Sequence, residues 1–124
     1  MANECAPLFR PGRDVTVLTT AAVTGKTFVG VSGNRDTATG LIKAAPAAAA
    51  AKAFGVAAYD AGSGKTVPII RGGIVPVTAG GTIAAGAQVE VGASGRAVTL
   101  ASGIAVGYAV DGGSSGTDVL IALY

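Results

Sequence analysis

Apolar residues recur along residues 61–110, AGSGKTVPIIRGGIVPVTAGGTIAAGAQVEVGASGRAVTLASGIAVGYAV, in short runs broken by glycine pairs. Runs rich in Val, Ile and Thr and bounded by Gly, Ser and Asp predict strands and turns rather than helices. The clearest hairpin is AQVEV at 87–91, a GASG turn at 92–95, and RAVTL at 96–100. Val89 and Val91 alternate with Gln88 and Glu90, so one face of that hairpin is apolar and the other wet. Glu90 then reads as a solvated cross-strand partner of a residue near Arg96 or Thr99.

In chain order, residues 1–13 show no periodicity and carry Pro7, Pro11 and Gly12, which predicts an extended arm whose Leu8 and Phe9 need a surface to bury against. Residues 14–20 alternate as a strand and 27–32 as a second, and 33–40 form a polar loop. The stretch 44–53, AAPAAAAAKA, is low in complexity. Alanine favours helix, but so short a segment barely recovers the cost of nucleation, so one or two helical turns and an ordered loop remain the two readings. Strands follow at 54–59, 67–71, 74–78, 103–110 and 117–124, with Pro68 and Pro76 pointing to edges or bulges. The sum is an all-β fold, a small single-domain barrel or sandwich of about eight or nine short strands over residues 14–124, with the Ala-rich insertion at 44–53 and the arm at 1–13.

Composition modifies this picture in one respect. Of 124 residues, 50% are hydrophobic, yet only 5% are aromatic and 20 are glycine. A core of Ala and Val buries little area per residue, and at about 25 cal/mol per Å² it gains less than one of Leu and Phe. Partner subunits would offset the deficit, which favours self-association. The net charge of +2 comes from scattered Arg and Lys, so no basic patch invites nucleic acid. The start, MANECAPLF, lacks the charge and apolar run of a signal peptide, and no uninterrupted apolar run reaches membrane-spanning length. The expectation is a protein made in the cytoplasm, with no membrane partner.

Chemistry finds little to work with. Gly62-Ser-Gly-Lys-Thr66 matches the end of a phosphate-binding loop, but Tyr59 stands where the pattern needs its first glycine, and the residues after Thr66 predict a strand where a helix must open. A second GKT at Gly25–Thr27 has Thr20 at the first-glycine position and also leads into a strand. There is no histidine, the seven carboxylates are isolated along the chain, and Cys5 is the lone cysteine. Catalysis, a disulfide, a zinc site and a bound cofactor are therefore not expected.

The opening MANECAPLFRPGRDVTVLTTAAVTGKTFVGVSG, the stretch FGVAAYDAGSGKTVPIIRGGIVPVTAGGTIAAGAQVEVGASGRAV, then GIAVGYAV and the closing DVLIALY together resemble the capsid decoration, or cement, proteins of tailed bacteriophages. Members are sometimes labelled recombinase-like, a label that the failed GSGKT match gives reason to distrust. The resemblance implies a structural virion protein, not an enzyme. It would sit on the outer surface of the matured shell, with the major capsid protein and itself, as a homotrimer, for partners, and would reinforce the shell against internal DNA pressure. On the arm, Leu8, Phe9, Arg10 and Arg13 are the candidate capsid contacts. Another virion or tail component and a small carbohydrate- or protein-binding module remain as alternatives, the module disfavoured for sugars by the absence of Trp.

Overall fold

In the computed structural model, which describes Leu8 and residues 11–124, the period-two alternation of short Val-rich runs is realised as ten strands. β1 (Asp14–Thr19), β2 (Phe28–Gly33), β3 (Ile42–Pro46), β4 (Gly55–Ala57) and β5 (Thr66–Ile70) close into a barrel in the order β1-β3-β2-β4-β5. β6 (Ile74–Thr78), β7 (Gln88–Val91), β8 (Ala97–Thr99), β9 (Gly107–Asp111) and β10 (Asp118–Leu123) form a second sheet in the order β6-β10-β9-β7-β8. A single parallel bridge from Ala79 to Ala97 joins the two edges of that sheet. Helix is confined, among the described residues, to a 3-10 turn at Ala93–Gly95 inside the β7–β8 hairpin.

The two five-stranded units repeat one another. Each residue of β1 and β2 has its counterpart sixty positions on, so Val15, Val17 and Val29 answer to Val75, Val77 and Val89. Each residue of β4 and β5 has its counterpart fifty-two positions on, so Gly55, Val67 and Ile69 answer to Gly107, Val119 and Ile121. Strand register obeys the same relation: Val15 pairs with Ile69 and Val75 with Ile121, and Val29 pairs with Gly55 and Val89 with Gly107. Even the turns match. The Val23–Ala61 bridge recurs as Ile83–Gly113, and Lys26, at φ 63°, stands where the second unit has Gly86, at φ 86°.

Packing separates two cores. Val15, Val17, Val29, Val67 and Ile69 fill the barrel. The second core gathers Val77, Val89, Val119 and Ile121, and to it the first unit contributes Phe28, Ala47 and Val56. Adjacent strand residues face opposite ways, so Val29 enters the barrel while Phe28 leaves it and is buried under the second unit. Backbone bonds fasten the same junction: the Thr78 N–H donates to the Lys26 carbonyl at 2.9 Å, and the Ala50 N–H to the Val91 carbonyl at 2.8 Å. Lys26 Nζ adds a 2.7 Å ion pair with Asp118, both side chains about half exposed, which contributes little on its own.

Three sequence expectations are corrected. The tenth strand is β3, whose Ala44–Pro46 belong to the stretch read as helical turns or a loop. Ala44 is buried, its carbonyl accepts the Thr20 N–H at 3.0 Å, and β3 runs parallel to β1, so a close backbone approach outweighs alanine's helix preference; only residues beyond Pro46 are loop. Pro76 does lie on the edge strand β6, but Pro68 sits in β5, and a closed barrel has no edge. The Pro68 carbonyl accepts the Ala58 N–H, so its nitrogen faces the same side, just past the end of the three-residue β4, where no ladder bond is lost. Glu90 is not a solvated cross-strand partner. It is buried, and its Oε1 accepts the Ala101 N–H at 2.6 Å, tying down the loop that leads to β9.

Candidate interaction surface

With no histidine and one cysteine, the surface of this chain is the place to look for function. The phosphate-loop strings fail on geometry. Thr66 opens strand β5 and Thr27 leads into β2, so neither lysine precedes a helix N-terminus that would face a phosphate. No group of His, Cys, Asp and Glu able to hold a metal exists among the described residues, and among them no helix is long and apolar enough to cross a membrane.

The arm's root is well defined. The Arg71 N–H donates to the Arg13 carbonyl at 2.6 Å, continuing the β1–β5 ladder by one rung beyond Asp14–Ile70. The Arg71 guanidinium donates through Nε to the Phe54 carbonyl at 3.0 Å and stacks 4.5 Å above the Phe54 ring, a cation–π contact worth about 0.5–1 kcal/mol at an exposed site. Its Nη1 reaches the Gly12 carbonyl at 3.5 Å. A shallow hollow lined by Pro11, Gly12, Arg13, Arg71 and the C-terminal Leu123 and Tyr124 surrounds this point. Of the predicted contact residues, Leu8 is exposed and Arg13 is exposed at this root; Phe9 and Arg10 lie outside the described residues. Arg71 and Lys52 also line a larger open cavity of about 570 Å³ with Val31, Pro46, Ala51 and Phe54.

Sequence reasoning missed the second feature of this end. Tyr108 on β9 and the C-terminal Tyr124 lie with ring centroids 6.2 Å apart, and Gln88 Nε2 donates to the Tyr124 hydroxyl at 2.7 Å. Ile74, Val110 and Leu120 are exposed beside them. The available signal was the spacing of Tyr108 and Val110 and of Leu120 and Ala122, which puts each pair on one strand face, opposite the inward Ala109, Val119 and Ile121.

Near the rim of the first unit, the Thr39 hydroxyl and N–H both donate to Asp36 Oδ2, at 2.7 and 2.8 Å, and hold its carboxyl below the usual carboxylate range. A lowered pKa means that the loop gains from this contact above the unfolded value, near 4, and loses the gain as pH falls through the folded one. The Thr39 amide resonance is therefore expected to shift below about pH 4, and Asp36→Asn to abolish that titration without altering the fold.

Comparison with known proteins places this architecture. Residues 9–123 match the family model described as phage cement protein. The chain belongs to the phage cement protein family. As a member it is a structural protein of the phage virion. No curated protein matches the chain. Among solved structures it is similar to the N base of head fiber gp8.5 of bacteriophage phi29, at 24% identity and a TM-score of 0.74, over 90% of this chain and 92% of that one. That likeness is one of fold, extends across both units, and agrees with the all-β reading.

Proposed function

We propose that this cement protein binds the outer surface of the matured capsid through the major capsid protein, self-associates as a homotrimer, and stabilises the shell against internal DNA pressure by binding rather than by catalysis. Residues 1–13 serve as an arm and 14–124 as one folding unit. The observation that carries the reading is the arm's root: β1 is pinned through Arg13 and Arg71, while Leu8 stands exposed just before it. An apolar arm anchored at one end to a rigid barrel is suited to ordering against a second surface, and Arg13 and Arg71 lend that end positive charge. In this reading Leu8, Phe9, Arg10 and Arg13 contact the shell, and many repeated modest contacts give avidity.

Co-sedimentation with matured, undecorated capsids tests it, with immature shells as the control. Saturable binding confined to matured shells is expected. Deleting residues 1–10 should weaken it by about tenfold or more, equivalent to roughly 1.4 kcal/mol; unchanged occupancy would remove the arm from the contact. The likeness to a head fiber base favours a second reading, in which the chain seats a fibre on the head. Electron microscopy of labelled particles separates the two by whether the label covers the shell or marks fibre attachment points.

A further inference from the structure

The internal repeat offers a comparison that a single unit would not: the same face can be inspected twice. In the first unit, a row of cross-strand neighbours runs Asp14, Ile70, Val56, Phe28. Its inner members Val56 and Phe28 are 1% and 0% exposed, because the second unit sits on them. The corresponding row in the second unit runs Ile74, Ala122, Tyr108, Gln88. Nothing in the chain's described residues covers it to that degree: Ile74 is 60% and Tyr108 41% exposed, with Val110 at 40%, Leu120 at 38% and Tyr124 at 64% on the same side. Strands β6, β9 and β10, which carry this face, contain no Lys or Arg. A contiguous uncharged apolar face of this kind marks a protein contact rather than a polyanion site.

The other half of the contact is also duplicated. The second unit grips the first through Thr78, Val91 and Asp118, which bond to Lys26 and Ala50. Their counterparts on the first unit are Leu18, Val31 and Thr66. Val91 is buried in the junction, whereas Val31 is 60% exposed and Thr66 is exposed. One chain thus displays an unfilled acceptor face at its second unit and an unfilled donor face at its first.

We propose that the outer face of the second unit, around Ile74, Tyr108, Val110 and Tyr124, receives the first unit of a second copy of this chain through Leu18, Val31 and Thr66, repeating between chains the contact that joins the units within one. Such a contact is heterologous, since different surfaces meet, and it closes into a ring or continues as a filament according to its rotation. The inference deepens the self-association proposed above and is independent of what the assembly binds.

Directed cross-linking tests it. With Cys5→Ser as background, one batch of chain carries Val31→Cys and another Tyr108→Cys; they are mixed and oxidised with copper–phenanthroline. The mixed pair should form disulfide-linked chains at least about tenfold more than either batch alone or than Val31→Cys mixed with a chain carrying Ser63→Cys, an exposed turn position outside both faces. Equal yields in all pairings would overturn the proposal. In parallel, sedimentation velocity of the unmodified chain should show association, and Tyr108→Arg should abolish it while circular dichroism and melting temperature stay unchanged. A folded Tyr108→Arg chain that still associates would overturn the proposal, as would an unmodified chain that is monomeric at about 100 μM, roughly 5.5 kcal/mol on the affinity scale. Capsid pelleting is read separately. Tyr108→Arg chains that associate normally but no longer pellet would assign this face to the shell and overturn the inference, while cross-linking failure with intact pelleting would overturn it and leave the decoration role standing.

Discussion

Phe28→Ala is expected to lower the unfolding free energy by about 3–5 kcal/mol, within the range for truncating a fully buried aromatic side chain. Phe28 is 0% exposed, and its ring is not in the core of the barrel that its strand builds. It fills the junction, among Val75, Val77, Val89 and Ile121 of the second unit. The loss has two parts: the transfer energy of the ring and a cavity between two preformed sheets, whose Lys26–Thr78 and Ala50–Val91 bonds resist closing the gap. In a chain whose other core side chains are mostly Val and Ala, few larger groups stand near enough to move in. Urea denaturation gives the size of the effect, and native-state hydrogen exchange gives its place. Amides at the junction, such as those of Thr78 and Ala50, should lose protection before those inside either sheet. A change below about 1 kcal/mol would mean that the two units hold together without this ring.

How much of this was legible in the sequence depends on which signal each feature leaves. Strands with strict alternation, such as DVTVLT and QVEV, and turns built on Gly and Asp announce themselves, because period and turn chemistry are local. β3 does not, since IKAAP lacks alternation and owes its strand to β1 and β2 on either side. Glu90 reads as solvated by alternation alone; what buries it is the return of the loop at residue 101, a contact made eleven positions away. The duplication was open to inspection, with VTV, VGV and GVA in the first unit answered by VPV, VEV and GYA in the second. It hides because the offset changes from sixty to fifty-two where the first unit carries its longer connection around β3, and because small-residue sequences resemble one another by composition. For the contact surface, the arm's Arg13 could be named from sequence, but Arg71, its anchor, and Tyr124, its neighbour, are brought there only by closure of the barrel and by the return of β10.

Gly55→Ala and Gly107→Ala are expected to destabilise by about 1–3 kcal/mol each, as overpacking does when backbone must shift. The two residues are counterparts, and both sit where a strand passes close over its neighbour. A Cβ on Gly55 would lie 2.5 Å from the Ile70 carbonyl oxygen and 2.6 Å from Ile69 Cγ2; on Gly107, 2.5 Å from the Ala122 carbonyl oxygen and 2.8 Å from Ile121 Cγ2. In each case the obstacle is backbone and a buried branched side chain, neither of which can swing aside. The need is for space, not for a left-handed conformation, so the proper control is Gly62→Ala, where an added Cβ meets nothing within 4 Å. That change should be neutral, or stabilising by up to about 1 kcal/mol through the unfolded chain. Thermal unfolding followed by calorimetry then asks a further question. Phe28, Val56 and Ala47 of the first unit lie in the core of the second, so the units share one cooperative transition, and either glycine substitution should lower the same single midpoint. Two resolved transitions, with Gly55→Ala moving one and Gly107→Ala the other, would show instead that each sheet folds by itself and that the junction is a docking contact between finished units.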